Sequence, residues 1–304
     1  DSRAGDPHLH THVVISNKAK TTLDGKWRSL DGRPMHAVVV ALSELHEAVF
    51  ADHMTRIFGV EWEARDMGRD RNPAWAITAV PETLVVEFSS RARHIDAEKN
   101  RLIDEYVAAH GRQPSNATIL KLRAQATLST RPDKQVRSLA DLTEEWRTRA
   151  TLVLGRDATR WAMDATDNDR PLLLRADDIP LDVIRDIGRT VVETVGEKRS
   201  TWRRWNLMAE ASRQTMGWRF ATIHDRVAIV AMVADAAEHA SLRLTPPDLA
   251  TSPAAFRRTD GSSVFRPKHS TVFSSEVLLQ AEDRLLDRSR TFTGPTVSLA
   301  RVEK

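Results

Sequence analysis

Residues 3–14 read Arg-Ala-Gly-Asp-Pro-His-Leu-His-Thr-His-Val-Val and place histidines at three alternate positions. The β-branched and apolar residues of this stretch predict a strand over residues 8–16. Side chains two apart on a strand share a face, so the imidazoles of His8, His10 and His12 would point the same way. Adjacent imidazoles can bind one ion, because each ligand bond is only about 2.0–2.1 Å long. His8 and His12 would lie about 13 Å apart, so we predict His10 and His12 as the metal pair.

This spacing has a simpler explanation, which the residues alone leave open. A His-x-His strand can also present polar side chains to water and bind no metal. If it does bind a metal, a third ligand has to come from elsewhere in the chain.

The composition of the 304 residues is that of a globular protein, with 41% hydrophobic and 29% charged residues, and the length predicts about two domains. The absence of cysteine excludes disulfide scaffolds, thiol nucleophiles, zinc–thiolate sites and iron–sulfur clusters, and is typical of a reducing cytoplasm. The 45 basic and 42 acidic residues leave a net charge of +3, which permits a nucleic-acid partner. The sequence contains no apolar run of about 18 residues, so we predict no membrane segment.

Hydrophobic periodicity predicts a mixed α+β region followed by a mainly helical one. The predicted helices cover residues 34–58, 92–110, 181–195, 202–215, 223–240 and 275–288, with others starting at Pro114 and after Ser138; the predicted strands cover residues 23–28, 60–64 and 74–79. The polar stretch 155–180 is taken as the main boundary. We therefore divide the chain into residues 1–155, a helical region 156–244, and a linker with a last helix, 245–304.

Several segments resemble the TrwC/TraI-type conjugative relaxases of the HUH endonuclease superfamily. Residues 3–14 resemble the histidine motif of that family and are the most specific part. The supporting segments are Phe88-Ser89-Ser90-Arg91 with Ile95; Leu128-Ser129-Thr130-Arg131 with Leu142 and Glu145-Trp146-Arg147; Ser200-Thr201-Trp202 with Asn206-Leu207; and Ser275-Glu276-Val277-Leu278 with Glu282 and Leu285-Leu286.

The resemblance implies a fold, a reaction and partners. The fold is the later part of an α+β relaxase domain, an antiparallel sheet that carries the histidine strand between flanking helices, followed by a helical connector. Such relaxases nick one DNA strand at a transfer origin by transesterification, and three histidines hold a divalent metal ion (Mg, Mn or Zn) that polarises the phosphate. Two of those ligands correspond to His10 and His12. The implied partners are single-stranded DNA at the origin and other relaxosome proteins, in the cytoplasm.

The sequence departs from the family at the nucleophile. The family's catalytic tyrosine and third metal histidine have no counterpart here, and Tyr106 lies in a predicted helix that matches no nucleophile motif. We therefore expect a relaxase truncated at its start, inactive alone and weakly metal-binding, that still binds single-stranded DNA.

Candidates for DNA contact come from basic residues near aromatic ones, because cations neutralise phosphates and rings stack on unpaired bases. They are Arg65, Arg69, Arg71, Arg203 and Arg204; the family resemblance adds Arg91 and Arg131 as phosphate contacts, and His8 is a further candidate. Structural ion pairs are the alternative for these arginines, and a buried helical stripe is the alternative for Trp202 and Trp205.

Two other functions remain open from the sequence. One is a non-catalytic DNA-binding or scaffold protein derived from the same family. The other is an unrelated metal-dependent phosphoesterase. A helicase or a zinc protease is excluded, because neither the Gly-x-x-x-x-Gly-Lys-[Ser/Thr] loop nor His-Glu-x-x-His occurs.

Overall fold

The computed structural model describes residues 2–8, 10–22, 24–67, 72–133, 136–168, 171–246, 250–259, 261–267, 269–291 and 294. The chain forms two compact units. Unit 1 contains residues 1–29 and 58–170, and unit 2 contains residues 30–57 and 171–304.

The chain is α+β, as the sequence predicts. The strands are β1 (Lys18–Lys20), β2 (Trp27–Ser29), β3 (Trp62–Arg65), β4 (Ala74–Ile77), β5 (Leu242–Arg243) and β6 (Phe273–Ser274). The helices are α1 (Gly32–Phe58), α2 (Glu82–Glu87), α3 (Ser90–His110), α4 (Asn116–Ser129), α5 (Leu139–Leu154), α6 (Ala158–Thr166), α7 (Leu181–Lys198), α8 (Arg204–Gln214), α9 (Ile223–His239) and α10 (Glu276–Arg290).

The predicted histidine strand is wrong. Residues 10–16 lie in no strand or helix, and the side chains of Val13, Val14 and Ile15 are 77%, 93% and 68% exposed. A strand needs a neighbour that satisfies its backbone N–H and C=O groups. Among the described residues the strands pair only as β1–β2, β3–β4 and β5–β6, all antiparallel, so the histidine stretch has no such neighbour.

Several helices begin or end where the sequence provides caps. Ser138 accepts a hydrogen bond from the Asp141 amide at 3.1 Å and begins α5, as predicted. Gly59 follows α1 at φ +65°, and a Cβ there would lie 2.6 Å from the Asn168 carbonyl oxygen, so only glycine fits. The sequence pattern does not predict α2 and α6. The second of these begins within the polar stretch taken as a boundary, because the Asp157 side chain accepts from the Arg160 amide at 2.7 Å.

Unit 2 is a helical core in which α7, α8 and α9 pack together. Its fully buried apolar side chains include Val191, Leu207, Phe220, Ile229 and Val233. Helices α7 and α9 approach so closely that a Cβ at Gly188 would lie 2.8 Å from the Ala236 Cβ. No helix among the described residues is long and apolar enough to cross a bilayer.

A buried ion pair crosses the core of unit 2. Arg226 on α9 is fully buried and donates to both carboxylate oxygens of Asp52 on α1, from Nε at 2.8 Å and from Nη2 at 2.7 Å. Its Nη1 donates to the Thr215 carbonyl at 2.7 Å, and its guanidinium lies 4.5 Å from the centre of the Phe220 ring. The Phe220 amide also donates to Asp52 at 3.1 Å, so one carboxylate holds both a helix and a turn.

Replacing the buried carboxylate is expected to destabilise unit 2 strongly. Asp52→Ala leaves the Arg226 cation buried and unpaired, which costs about 3–5 kcal/mol of unfolding free energy. Urea unfolding followed by tryptophan fluorescence measures this loss. The matched control is Asp186→Ala, which removes an exposed partner of Arg189 and should change the unfolding free energy by less than about 1 kcal/mol. Equal losses in the two variants would contradict the assignment.

Candidate functional site

Two positions before His8 lies a buried carboxylate, Asp6, that holds three segments of unit 1 together. Asp6 is 3% exposed. Its Oδ2 accepts from the Ser90 amide at 3.0 Å, and its Oδ1 accepts from the Ser90 hydroxyl and from Arg149 Nη2, both at 3.1 Å. Ser90 is the first residue of α3, and the side chain of the N-cap residue Ser89 accepts no hydrogen bond from the backbone of the helix. Asp6 therefore caps α3 from 84 positions away in the chain, where a negative charge also interacts favourably with the helix dipole.

Arg149 on α5 completes the anchor. Its Nε donates to the Glu87 carboxylate at 2.8 Å, its Nη2 to the Glu87 carbonyl at 3.1 Å, and its guanidinium lies 4.7 Å from the centre of the Phe88 ring. Partial burial alone would lower the pKa of Arg149, but the hydrogen bonds to Glu87 and Asp6 outweigh it and raise the pKa. The guanidinium therefore stays charged and ties α5 to both carboxylates.

The turn that leads into the histidines is fixed from both sides. Trp146 on α5 donates from Nε1 to the Gly5 carbonyl at 2.6 Å. Gly5 has φ +81°, a conformation that glycine adopts readily. The Asp6 amide donates to the Ser2 hydroxyl at 3.1 Å, and the Ser2 amide donates to the Asp6 carbonyl at 2.9 Å. We call Asp6, Ser90, Trp146 and Arg149 the anchor.

The structure brings His10 and His12 together without a strand. His10 Nδ1 lies 2.9 Å from the His8 carbonyl. A carbonyl only accepts, so this nitrogen carries the proton and the neutral ring keeps a lone pair on Nε2. The Nε2 atoms of His10 and His12 are 3.0 Å apart, and with this tautomer the His12 Nε2–H donates to His10 Nε2, so a bound ion would displace that proton. Two ligand bonds of about 2.0–2.1 Å at 90–110° place their nitrogens about 2.9–3.4 Å apart, so the pair fits a divalent ion.

Only two of the three histidines are arranged to bind the same metal ion. All three histidines are exposed, and the ring centre of His8 lies 4.7 Å from that of His10. Within the ranges that the structure describes, no group of three or more His, Asp or Glu side chains is arranged to hold an ion.

The His10 and His12 rings line a cleft of about 780 Å³, which we call the histidine cleft. Its wall includes a third imidazole, His94 on α3, and the cations Arg3, Arg131 and Arg137. Asp133 and Glu145 are acidic members of the wall, and Glu145 pairs with Arg137 at 2.5 Å. The sequence does not predict His94 and Arg137 as members of this site, because only the fold of unit 1 brings them to the histidines.

The predicted DNA contacts separate into structural and exposed residues. Arg65 is held by Glu63, Glu82 and the Val80 carbonyl. Arg91 donates to the Thr127 and Thr130 carbonyls, both at 2.6 Å, and so caps the end of α4. Arg131 is exposed, lines the histidine cleft, and makes no side-chain hydrogen bond to any described residue.

The remaining candidates lie in unit 2 or outside the described residues. Arg204 pairs with Asp235 at 2.6 Å and with Glu238 at 3.2 Å, and Arg203 is exposed at the start of α8. Trp202 is fully buried, in agreement with the structural alternative. Arg69 and Arg71 fall outside the residues that the structure describes.

Comparison with known proteins gives one match. A family model described as TrwC relaxase matches residues 1–153, just over half of the 304 residues. It covers the anchor and the whole histidine cleft. No curated protein and no solved structure gives a significant match.

Weakening the anchor is expected to loosen the segment that carries the histidines. Asp6→Asn keeps an acceptor for the Ser90 amide but removes the charge that Arg149 binds, at a cost of about 1–3 kcal/mol. Hydrogen exchange should accelerate in peptides covering residues 2–14 and 88–92. Glu144→Gln, which removes an exposed partner of Arg147, is the control and should leave exchange in both peptides unchanged. Unchanged exchange in Asp6→Asn would show that the carboxylate does not hold the segment.

Proposed function

The chain belongs to the TrwC relaxase family, and from that membership we propose that it carries the metal-binding and strand-binding part of a conjugative DNA relaxase. In this proposal unit 1 performs its role on single-stranded DNA at a transfer origin, in the cytoplasm. The observation that carries the proposal is the convergence of two imidazole nitrogens at 3.0 Å beside a cleft with three arginines.

His10 and His12 are the residues that would hold the divalent ion. When bound, such an ion acts as a Lewis acid that polarises the scissile phosphate. The protein contributes the orientation of the ligands. The proton on His10 Nδ1 is directed at the His8 carbonyl, which leaves Nε2 as the ligand atom, and the anchor holds the preceding turn.

The arginines of the histidine cleft would hold the DNA backbone. Arg131 is exposed at the wall, while Arg3 donates to the Pro132 carbonyl at 3.4 Å and keeps its charge without a carboxylate partner among the described residues. Arginine binds phosphates through parallel N–H donors. A strand phosphate in the cleft would therefore meet arginine on one side and the two imidazoles on another.

Strand cleavage would need a nucleophile from outside these 304 residues. Tyr106 is the sole tyrosine of the sequence and lies on α3, 16 residues after Ser90 of the anchor. The two residues are therefore about 24 Å apart along the helix axis. Its ring stacks on His110 at 4.1 Å between centres. We infer that Tyr106 packs on its helix and that this chain alone binds DNA without cleaving it.

Metal titration tests the role of the two histidines. Mn²⁺ binding, followed by electron paramagnetic resonance, should weaken at least about tenfold in His10→Ala or His12→Ala. Removing a residue that hydrogen-bonds to a metal ligand already lowers metal affinity by about that factor, and removing the ligand itself should lower it at least as much. His110→Ala, an exposed histidine at the far end of α3, is the control and should bind as the parent does. A parent chain without detectable Mn²⁺ binding would instead favour a non-catalytic DNA-binding protein.

Salt dependence tests the DNA contact. A single-stranded oligonucleotide should bind with an affinity that falls as salt rises, and Arg131→Gln should reduce the log–log slope by about 0.7, the value for one phosphate contact. The control is Arg160→Gln on α6, where the arginine side chain is 79% exposed. This variant should leave the slope unchanged. The same mixtures should give no covalent protein–DNA adduct on a denaturing gel. An unchanged slope in Arg131→Gln, or an adduct at Tyr106, would contradict the proposal.

A further inference from the structure

Unit 2 contains a second basic cleft, formed by residues outside the matched range 1–153. It measures about 290 Å³, and we call it the arginine cleft. Its wall contains Arg204, Arg243, Arg258, Arg266 and His269, with Glu238 as an acidic member. The cleft is large enough to admit a phosphate group, and its arginines favour an anion.

Two arginines of this wall, Arg243 and Arg258, bind carbonyl oxygens and no carboxylate among the described residues. Arg204 is balanced by Asp235 and Glu238. Arg243 donates to the Thr245 carbonyl at 3.0 Å, and Arg258 donates to the carbonyls of Ser263 at 2.5 Å and Arg266 at 2.9 Å. Neutral oxygens orient a guanidinium without cancelling its charge. Arg243 and Arg258 thus keep their charge uncompensated by any described carboxylate, and a bound phosphate would supply the compensation.

An exposed pair of aromatic rings lies in the segment 256–265, which also contains Arg258 of the arginine cleft. Phe256 and Phe265 are 46% and 71% exposed, and their ring centres are 5.2 Å apart. The turn is closed by the Val264 amide, which donates to the Phe256 carbonyl at 2.9 Å, and by Arg258, which binds on either side of Phe265 in the chain. Neither ring lines the arginine cleft, but Phe265 directly precedes Arg266 of its wall in the chain. Exposed rings near basic side chains are a combination that binds single-stranded nucleic acid, because rings stack on unpaired bases and cations follow the backbone.

The backbone of the arginine cleft is also strained at one wall residue. Among the described residues other than glycine, His269 alone has a positive φ, of 55°. The Trp205 ring packs edge-on against it, with centres 4.8 Å apart. Strained conformations of this kind cost free energy and cluster at ligand-binding sites.

We propose that the arginine cleft and the phenylalanine pair form a second binding site for single-stranded nucleic acid. One backbone phosphate enters the arginine cleft, where Arg243 and Arg258 bind it, and an unpaired base stacks on Phe265. This site is distinct from the histidine cleft and does not depend on a metal ion. Its ligand is therefore a nucleotide within a strand.

Anisotropy titration of the full chain with a labelled single-stranded oligonucleotide tests the site. Phe265→Ala should weaken binding about five- to tenfold, the loss expected for one stacked base. Arg243→Gln should lower the log–log salt slope by about 0.7, as for one lost phosphate contact. The matched controls are Val277→Ala, a side chain equally exposed at 71% on α10, and Arg189→Gln, an exposed arginine on α7. Both should bind like the parent.

Two further ligands identify what the site recognises. An abasic strand should bind to the parent and to Phe265→Ala with the same affinity, because it offers no base to stack. A duplex of the same sequence should bind without sensitivity to Phe265→Ala. The proposal is overturned if Phe265→Ala leaves the affinity for the normal strand unchanged, or if it weakens the abasic strand equally.

The outcome can be separated from that of the proposed function. Arg131→Gln and His10→Ala report on the histidine cleft, and Arg243→Gln and Phe265→Ala report on the arginine cleft. If the second pair has no effect while Arg131→Gln lowers the slope, the arginine cleft is not a nucleic-acid site and the proposed function stands. If only the second pair has an effect, the inference stands and the proposed strand contact of the histidine cleft fails.

Discussion

The buried carboxylate of Asp6 is the constraint on which the organisation of unit 1 depends. A carboxylate that is 3% exposed must have its charge and lone pairs satisfied, and here Ser90 and Arg149 satisfy them. Because these partners open α3 and lie on α5, the carboxylate links the chain before the histidines to both helices. Three of the segments that resemble the relaxase family in sequence, around residues 6, 90 and 146, therefore meet in space.

The histidine pair shows how local bonds can replace regular structure. The alternating pattern predicts a strand, yet residues 10–16 have no neighbour with which to form a ladder. The rings of His10 and His12 still converge, because the His8 carbonyl orients one imidazole and that imidazole faces the other. His10 and His12, two positions apart, thus bring their imidazoles together although the segment is irregular. The anchor holds the turn that precedes this segment.

The arginines divide according to the partners that the fold provides. Arg65, Arg149 and Arg204 meet carboxylates, and Arg91 meets the carbonyls at the end of a helix. These guanidiniums stabilise contacts between elements, whereas Arg131 and Arg243 keep their charge toward clefts. An arginine-rich chain with a net charge of only +3 can therefore present positive charge at two clefts, while arginines such as Arg65, Arg149 and Arg204 are neutralised by carboxylates.

The sequence by itself determined the α+β class, most helix positions and the family. Those features depend on short-range signals: Ser138 caps α5 through its own side chain, Gly59 allows the chain to turn after α1, and residues 3–14 form a contiguous motif. Tertiary structure alone decided which strands pair, that Asp6 caps α3, that His94 and Arg137 join the histidine cleft, and which arginines remain exposed to solvent. These depend on contacts between residues as many as 143 positions apart, as for Arg149 and Asp6. Local periodicity carries no record of such contacts, because the partner of a buried charge is chosen by packing.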